Sequence, residues 1–94
     1  MNIIEKVFNI ILKRRENPKE NSYVSKMQGK GLDAILKKIG EEAGEVVIAS
    51  KGGIKNEIIH EIADLWFHTL LVLEFHGLTP EDIYSELERR HKGD

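Results

Sequence analysis

From residue 32 to residue 76 the chain carries two long apolar patterns of helical period, broken once, at Gly52-Gly53. A break that short makes two helices fold back on each other as antiparallel neighbours. On the first, residues 32–51, the stripe is Leu32, Ile35, Leu36, Ile39, Ala43, Val46 and Val47. On the second, residues 54–76, Ile58, Ile59, Ile62, Leu65, Trp66, Leu70 and Leu73 make the expected core face, while Phe67, Leu71 and Phe75 fall off it. A helix apolar nearly all round is buried on several sides, which makes this the expected central helix and a dimer contact.

Into this hairpin the sequence sets carboxylates, as Gly40-Glu41-Glu42-Ala43-Gly44-Glu45 and Glu61-Ile62-Ala63-Asp64. Glu42 and Glu45 are three apart and share one side of their helix, and Glu61 and Asp64 repeat that spacing on the other. Acids among core residues need positive compensation. Two facing pairs offer an all-oxygen ligand set suited to Mg²⁺, with Mn²⁺ as the alternative. Glu41 projects away from the stripe and reads as a supporting group or a solvated one. His60-Glu61-Ile62-Ala63-Asp64 resembles the H-E-x-x-H zinc helix only in part, because Asp64 replaces the second histidine and His60 is expected to face away from the carboxylates. His68, one turn past Asp64, reads as a hydrogen-bonded core histidine.

The flanks complete an all-α, four-to-five-helix single domain spanning residues 1–94. Residues 2–16 form a helix stopped by Asn17-Pro18. Ser22 caps a short helical turn at 22–27 within a polar connector that runs to Gly31. Thr79-Pro80-Glu81-Asp82 opens a last helix, packed through Ile83, Tyr84 and Leu87.

Charge then divides the chain. Residues 1–40 carry nine Lys/Arg against four Asp/Glu, and residues 41–94 carry five against twelve. A basic half opposite an acidic one fits an anionic, phosphate-containing substrate. Lys26 and Lys30 of the connector, Lys38 and Lys51 are the candidate phosphate partners, and Arg89 or Arg90 of a neighbouring subunit could join them. A net charge of -2 and the lack of a basic recognition helix argue against nucleic acid and against a helix-turn-helix DNA binder. The absence of cysteine excludes disulfides and thiolate metal sites. Ile62–Leu73 is too short to span a bilayer and Met1–Leu12 lacks the features of a leader, so a cytoplasmic protein is expected. A domain this small has a thin core, and a homodimer sharing apolar surface is expected.

Glu41-Glu42-Ala43-Gly44-Glu45 followed by Glu61-Ile62-Ala63-Asp64 resembles the E-E-x-x-E…E-x-x-D pattern of the MazG-like all-α nucleoside-triphosphate pyrophosphatases. Ser22-Tyr23, Lys30-Gly31-Leu32, Lys37-Lys38-Ile39-Gly40, Glu45–Ala49, Ala63–His68 and Glu86–Arg90 narrow the resemblance to the phosphoribosyl-ATP pyrophosphatases of histidine biosynthesis. Departures are small: Val24 stands where a small hydroxyl residue is expected, and Gly44 fills a variable position. The resemblance implies Mg²⁺-dependent hydrolysis of phosphoribosyl-ATP to phosphoribosyl-AMP and pyrophosphate by an all-helical homodimer. It carries Glu42, Glu45, Glu61 and Asp64 over as metal ligands, with Glu41 in the same catalytic motif. At 94 residues the chain leaves no room for the cyclohydrolase to which this family is sometimes fused. The rival readings are a house-cleaning pyrophosphatase acting on free nucleotides and a non-enzymatic helical interaction module.

Overall fold

A computed structural model describes residues 1–94 and shows five helices in the order α1 (Ile3–Glu16), α2 (Tyr23–Lys30), α3 (Leu32–Gly52), α4 (Lys55–Phe75) and α5 (Pro80–Gly93). The ends follow local chemistry. The Asn2 side chain accepts from the Glu5 amide at 2.9 Å while the Glu5 carboxylate accepts from the Asn2 amide at 2.9 Å, a reciprocal cap on α1. Ser22 caps α2 by accepting from the Ser25 amide at 3.2 Å. The Asp82 carboxylate accepts from the Thr79 amide at 2.9 Å at the start of α5. Two breaks require glycine: Gly31 at φ +94° separates α2 from α3, and Gly53 at φ +77° turns α3 into α4.

The connector expected at residues 18–31 is therefore mostly helix. The capped turn continues through Gly29 to Lys30, and only Gly31 interrupts it. The hairpin of α3 and α4 is the largest packing unit of the fold, as the short break at Gly52-Gly53 requires.

The core sits at one end of this hairpin. Phe8 and Ile11 of α1, Val24 and Met27 of α2, Ile35 of α3, and Leu70, Leu71 and Leu73 of α4 form one cluster, with Phe67 and Val72 packed against it. The faces of α4 are thus not distributed as its periodicity predicts. Leu71, expected off the core face, is 1% exposed, whereas Ile59 and Trp66, expected on it, are 56% and 57% exposed. The reason is the position of α1 and α2: both pack at the Leu70–Leu73 end and leave the first half of α4 uncovered. The second half of α3 and the first half of α4 project as a two-helix arm with Val47, Ile48, Ile54, Ile59, Ile62 and Trp66 exposed. The radius of gyration, 14.6 Å, accordingly exceeds the roughly 12 Å of a compact domain of this length.

A polar network reinforces the Leu70–Leu73 end. Glu74 of α4 accepts a two-pronged bond from Arg15 of α1 at 2.9 and 3.0 Å and a third bond from Gln28 of α2 at 3.2 Å. Gln28 also donates to the Ile11 carbonyl at 3.0 Å. Helix α5 touches the rest only near its start, through buried Pro80 and an Asn2–Tyr84 hydrogen bond of 3.2 Å. Of its expected packing face, Ile83 and Leu87 are exposed and Tyr84 is half-buried. No helix is long and apolar enough to cross a membrane.

Candidate active site

The acidic residues lie where the bare arm meets the core. Glu42 of α3 is buried, and Lys38, one turn earlier, stands 3.5 Å from it and 3.7 Å from exposed Glu41. Partial burial works to lower the pKa of the Lys38 ammonium, but Tyr23, Glu42 and Glu41 outweigh it and hold that pKa above its ordinary value. Lys38 is thus the counter-charge of the α3 acids, a role the sequence left open between them and substrate phosphate.

Across the hairpin, Glu61 and Asp64 of α4 are half-buried. Partial burial raises the Glu61 carboxyl above the usual carboxylate range, and the negative charges of Glu45, Glu42 and Asp64 push it the same way, against the opposing effect of His60. Glu61 therefore feels both α3 carboxylates of the expected ligand set. The tightest group is different. His60, Glu61 and Asp64 place one potential ligand atom each within 4.8 Å of one another. His60 Nε2 is 3.3 Å from Asp64 and 3.8 Å from Glu61. The expectation that His60 faces away is thus corrected: residues four apart are neighbours on a helix surface, and the imidazole reaches its own turn's carboxylate.

His68 is 4% exposed and makes two hydrogen bonds, the core histidine that its setting predicts. Its partner Tyr23, at the first position of α2, is the site residue that sequence reasoning missed. The available signal was its place directly after the Ser22 cap, since a capped helix start is fixed in direction.

The four candidate phosphate-binding lysines are dispersed. Lys38 is inside the acidic group, whereas Lys26 and Lys30 are exposed on α2 and Lys51 is exposed in the last turn of α3. At a rise of about 1.5 Å per residue, Lys30 lies roughly 10 Å beyond Tyr23 along α2, and Lys51 roughly 9 Å beyond Glu45 along α3. A substrate spanning these lysines and the acids would have to be extended. Arg89 and Arg90 are held by Glu86 of their own helix, at 2.6 and 2.9 Å. Their pull lowers the Glu86 carboxyl to about 2.

Five carboxylates on two antiparallel helices, with one lysine among them, define a class: an all-helical domain with an acidic cluster on its central hairpin. The phosphoribosyl-ATP pyrophosphohydrolase family model matches residues 4–91, and the chain belongs to that family. It is 54% identical over 88 residues to a phosphoribosyl-ATP pyrophosphatase of Geotalea daltonii, covering 94% of this chain and 83% of the relative. A phosphoribosyl-ATP pyrophosphatase of Methylococcus capsulatus is 46% identical over 90 residues, 96% of this chain and 86% of the relative. A bifunctional histidine biosynthesis protein of Caldanaerobacter subterraneus is 50% identical over 90 residues, but these make up only 44% of its length.

Proposed function

We propose that this chain hydrolyses phosphoribosyl-ATP to phosphoribosyl-AMP and pyrophosphate, the reaction for which its relatives are named, and so serves histidine biosynthesis in the cytoplasm. The observation that carries the reading is the acidic cluster, with a buried Glu42 and a Glu61 whose ionisation is resisted by partial burial and by the carboxylates around it. A cluster so short of positive charge fits a hard divalent cation, because carboxylate oxygens are the donors such ions prefer. Glu42, Glu45, Glu61 and Asp64 would hold Mg²⁺, with Mn²⁺ as the substitute. Such an ion, when bound, neutralises charge on the phosphoanhydride oxygens.

The chain's own residues supply the rest. Lys38 and the α2 lysines, with Lys51 at the far end of α3, hold the outer phosphates by charge-assisted bonds. A carboxylate of the cluster accepts the proton of the attacking water. The water oxygen bonds to phosphorus as the bridging P–O bond breaks, and the pair of electrons leaves with pyrophosphate. No serine, cysteine or histidine nucleophile is required.

The site also lies open along the exposed arm, beside Val47, Ile59, Ile62 and Trp66. Soluble monomers seldom leave so continuous an apolar face uncovered. A second copy of the chain packed arm to arm would cover it and wall the acidic cluster, giving a homodimer. Product analysis tests the chemistry. Incubation with phosphoribosyl-ATP and Mg²⁺ should yield phosphoribosyl-AMP and pyrophosphate in equal amounts. Release of orthophosphate with phosphoribosyl-ADP would contradict the assignment.

A further inference from the structure

His68 is the most buried ionisable side chain near the acidic cluster, and it has no part in the reaction just described. Its surroundings specify the tautomer of the neutral ring. Nδ1 lies 2.7 Å from the Asp64 main-chain carbonyl, and a carbonyl can only accept, so Nδ1 carries the proton. In the neutral ring Nε2 is then an acceptor, and the Tyr23 hydroxyl, 2.8 Å away, must donate to it. Burial raises the pKa of that hydroxyl, as do Glu42, Asp64 and Glu41 against the opposing pull of Lys38, so the phenol keeps the proton it donates. The rings are held as well. Tyr23 and Phe67 both meet the His68 ring edge to face, at 5.7 and 5.4 Å between centroids.

The result is a directed chain of two hydrogen bonds, from Tyr23 through His68 to the backbone of Asp64. It joins the first residue of α2 to the turn of α4 that carries two of the acids. Helix α2 also carries Lys26 and Lys30, and Tyr23 feels the field of Lys38, Glu41 and Glu42 on α3. The contact is therefore the point at which the lysine-bearing helix, the α3 acids and the α4 acids are held in one frame.

We propose that Tyr23 and His68 are positioning residues, which lock α2 and its lysines to the Asp64 turn so that phosphate contacts and the acidic cluster keep one spacing. The proposal rests on the hydrolase reading for its kinetic effect, and on geometry alone for the lock itself. Neither residue need touch substrate. The other hydrogen bond between α2 and α4, Gln28 to Glu74 at 3.2 Å, lies ten residues further along α4 than Asp64, so at the acidic turn itself the Tyr23–His68 bond is the polar tie.

The test has two arms. In the first, imidazole ¹⁵N spectra of the wild-type protein at neutral pH should show His68 as a single Nδ1–H tautomer with Nε2 accepting a hydrogen bond, and Tyr23→Phe should shift the Nε2 resonance toward that of a free acceptor while leaving the Nδ1–H form, held by the Asp64 carbonyl, and the helical content unchanged. A wild-type His68 protonated at Nε2, or present as a mixture of tautomers, would overturn the proposal whatever the protein catalyses. In the second, Tyr23→Phe, His68→Phe and the double variant are assayed with phosphoribosyl-ATP and Mg²⁺ well below their melting temperatures. Tyr23→Phe should lower kcat about threefold to tenfold, the value of one hydrogen bond, with KM within twofold of wild type. The double variant should lose no more than the worse single one, because both interrupt one chain. A wild-type kcat in Tyr23→Phe, or losses that multiply in the double variant, would refute the lock. A wild-type protein inactive on phosphoribosyl-ATP but showing the fixed tautomer would instead refute the hydrolase reading and leave the lock standing.

Discussion

Replacing Lys38 with methionine tests how the acidic cluster is compensated. Methionine keeps most of the apolar stem and removes the charge. In the metal-free protein Lys38 is the cation within reach of buried Glu42, at 3.5 Å, and the Glu42 side chain is only 10% exposed. At an effective dielectric near 20, unit charges at that distance attract by about 5 kcal/mol. Lys38 is 35% exposed, and the contact is longer than a good hydrogen bond, so solvent screens most of this. A net loss of about 1–2 kcal/mol is expected, which lowers Tm by roughly 4–10 °C in a domain of this size. Divalent metal should take over the compensation. Urea unfolding of wild type and Lys38→Met, each with and without saturating Mg²⁺, measures both costs. The penalty should shrink by at least half when Mg²⁺ is present. An equal penalty in both conditions, or none in either, would show that Lys38 does not stand in for a cation at Glu42.

Three further expectations follow from the same geometry. Glu61 has its pKa raised by burial and by Glu45, so the folded chain binds that proton more tightly than the unfolded chain; metal-free stability should fall as pH rises from about 4.5 through the raised value, and thermal melts of Glu61→Gln should lack this fall, melt higher than wild type at pH 7 and respond less to Mg²⁺. Glu42→Gln, Glu45→Gln, Glu61→Gln and Asp64→Asn should each abolish most activity with circular dichroism unchanged, and Glu41→Gln should be the mildest; near-normal turnover in all four would rule out the ligand assignment. Trp66→Asp, at a side chain 57% exposed in the single chain, should leave the fold intact and convert a dimer to a monomer in sedimentation; a wild-type protein that sediments as a monomer at micromolar concentration would show that the arm has no such partner.

The helices were legible because their signals are local. Asn17-Pro18, the Ser22 and Thr79 caps and Gly53 each act within a turn, and each lies at a helix boundary in the structure. Helix α2 was read too short because Gly29 resembles a stop, and only Gly31, at positive φ, is one. The buried face of α4 was legible only in part, since Leu70 and Leu73 lie in the core as expected while Ile59 and Trp66 do not. A helix apolar nearly all round gives no preferred side, and the choice was made by α1 and α2 packing at Leu70–Leu73. The place of His60 was misjudged, although the rule that pairs Glu61 with Asp64 on one helix face also pairs His60 with Asp64. The Tyr23–His68 contact was not legible, because it joins residues 45 apart in sequence through the fold of α2 onto α4.

Action on phosphoribosyl-ATP, and not on nucleoside triphosphates in general, is what sets this chain's chemistry apart. The two differ by a ribose 5′-phosphate at the far end, which the acidic cluster cannot read and a lysine beyond it can. The direct measurement is pyrophosphate release by the purified wild-type protein in Mg²⁺, comparing kcat/KM for phosphoribosyl-ATP with that for ATP. Phosphoribosyl-ATP should be preferred by at least about tenfold to a hundredfold, the value of one charge-assisted phosphate contact. Equal kcat/KM for the two substrates, or a preference for ATP, would contradict it.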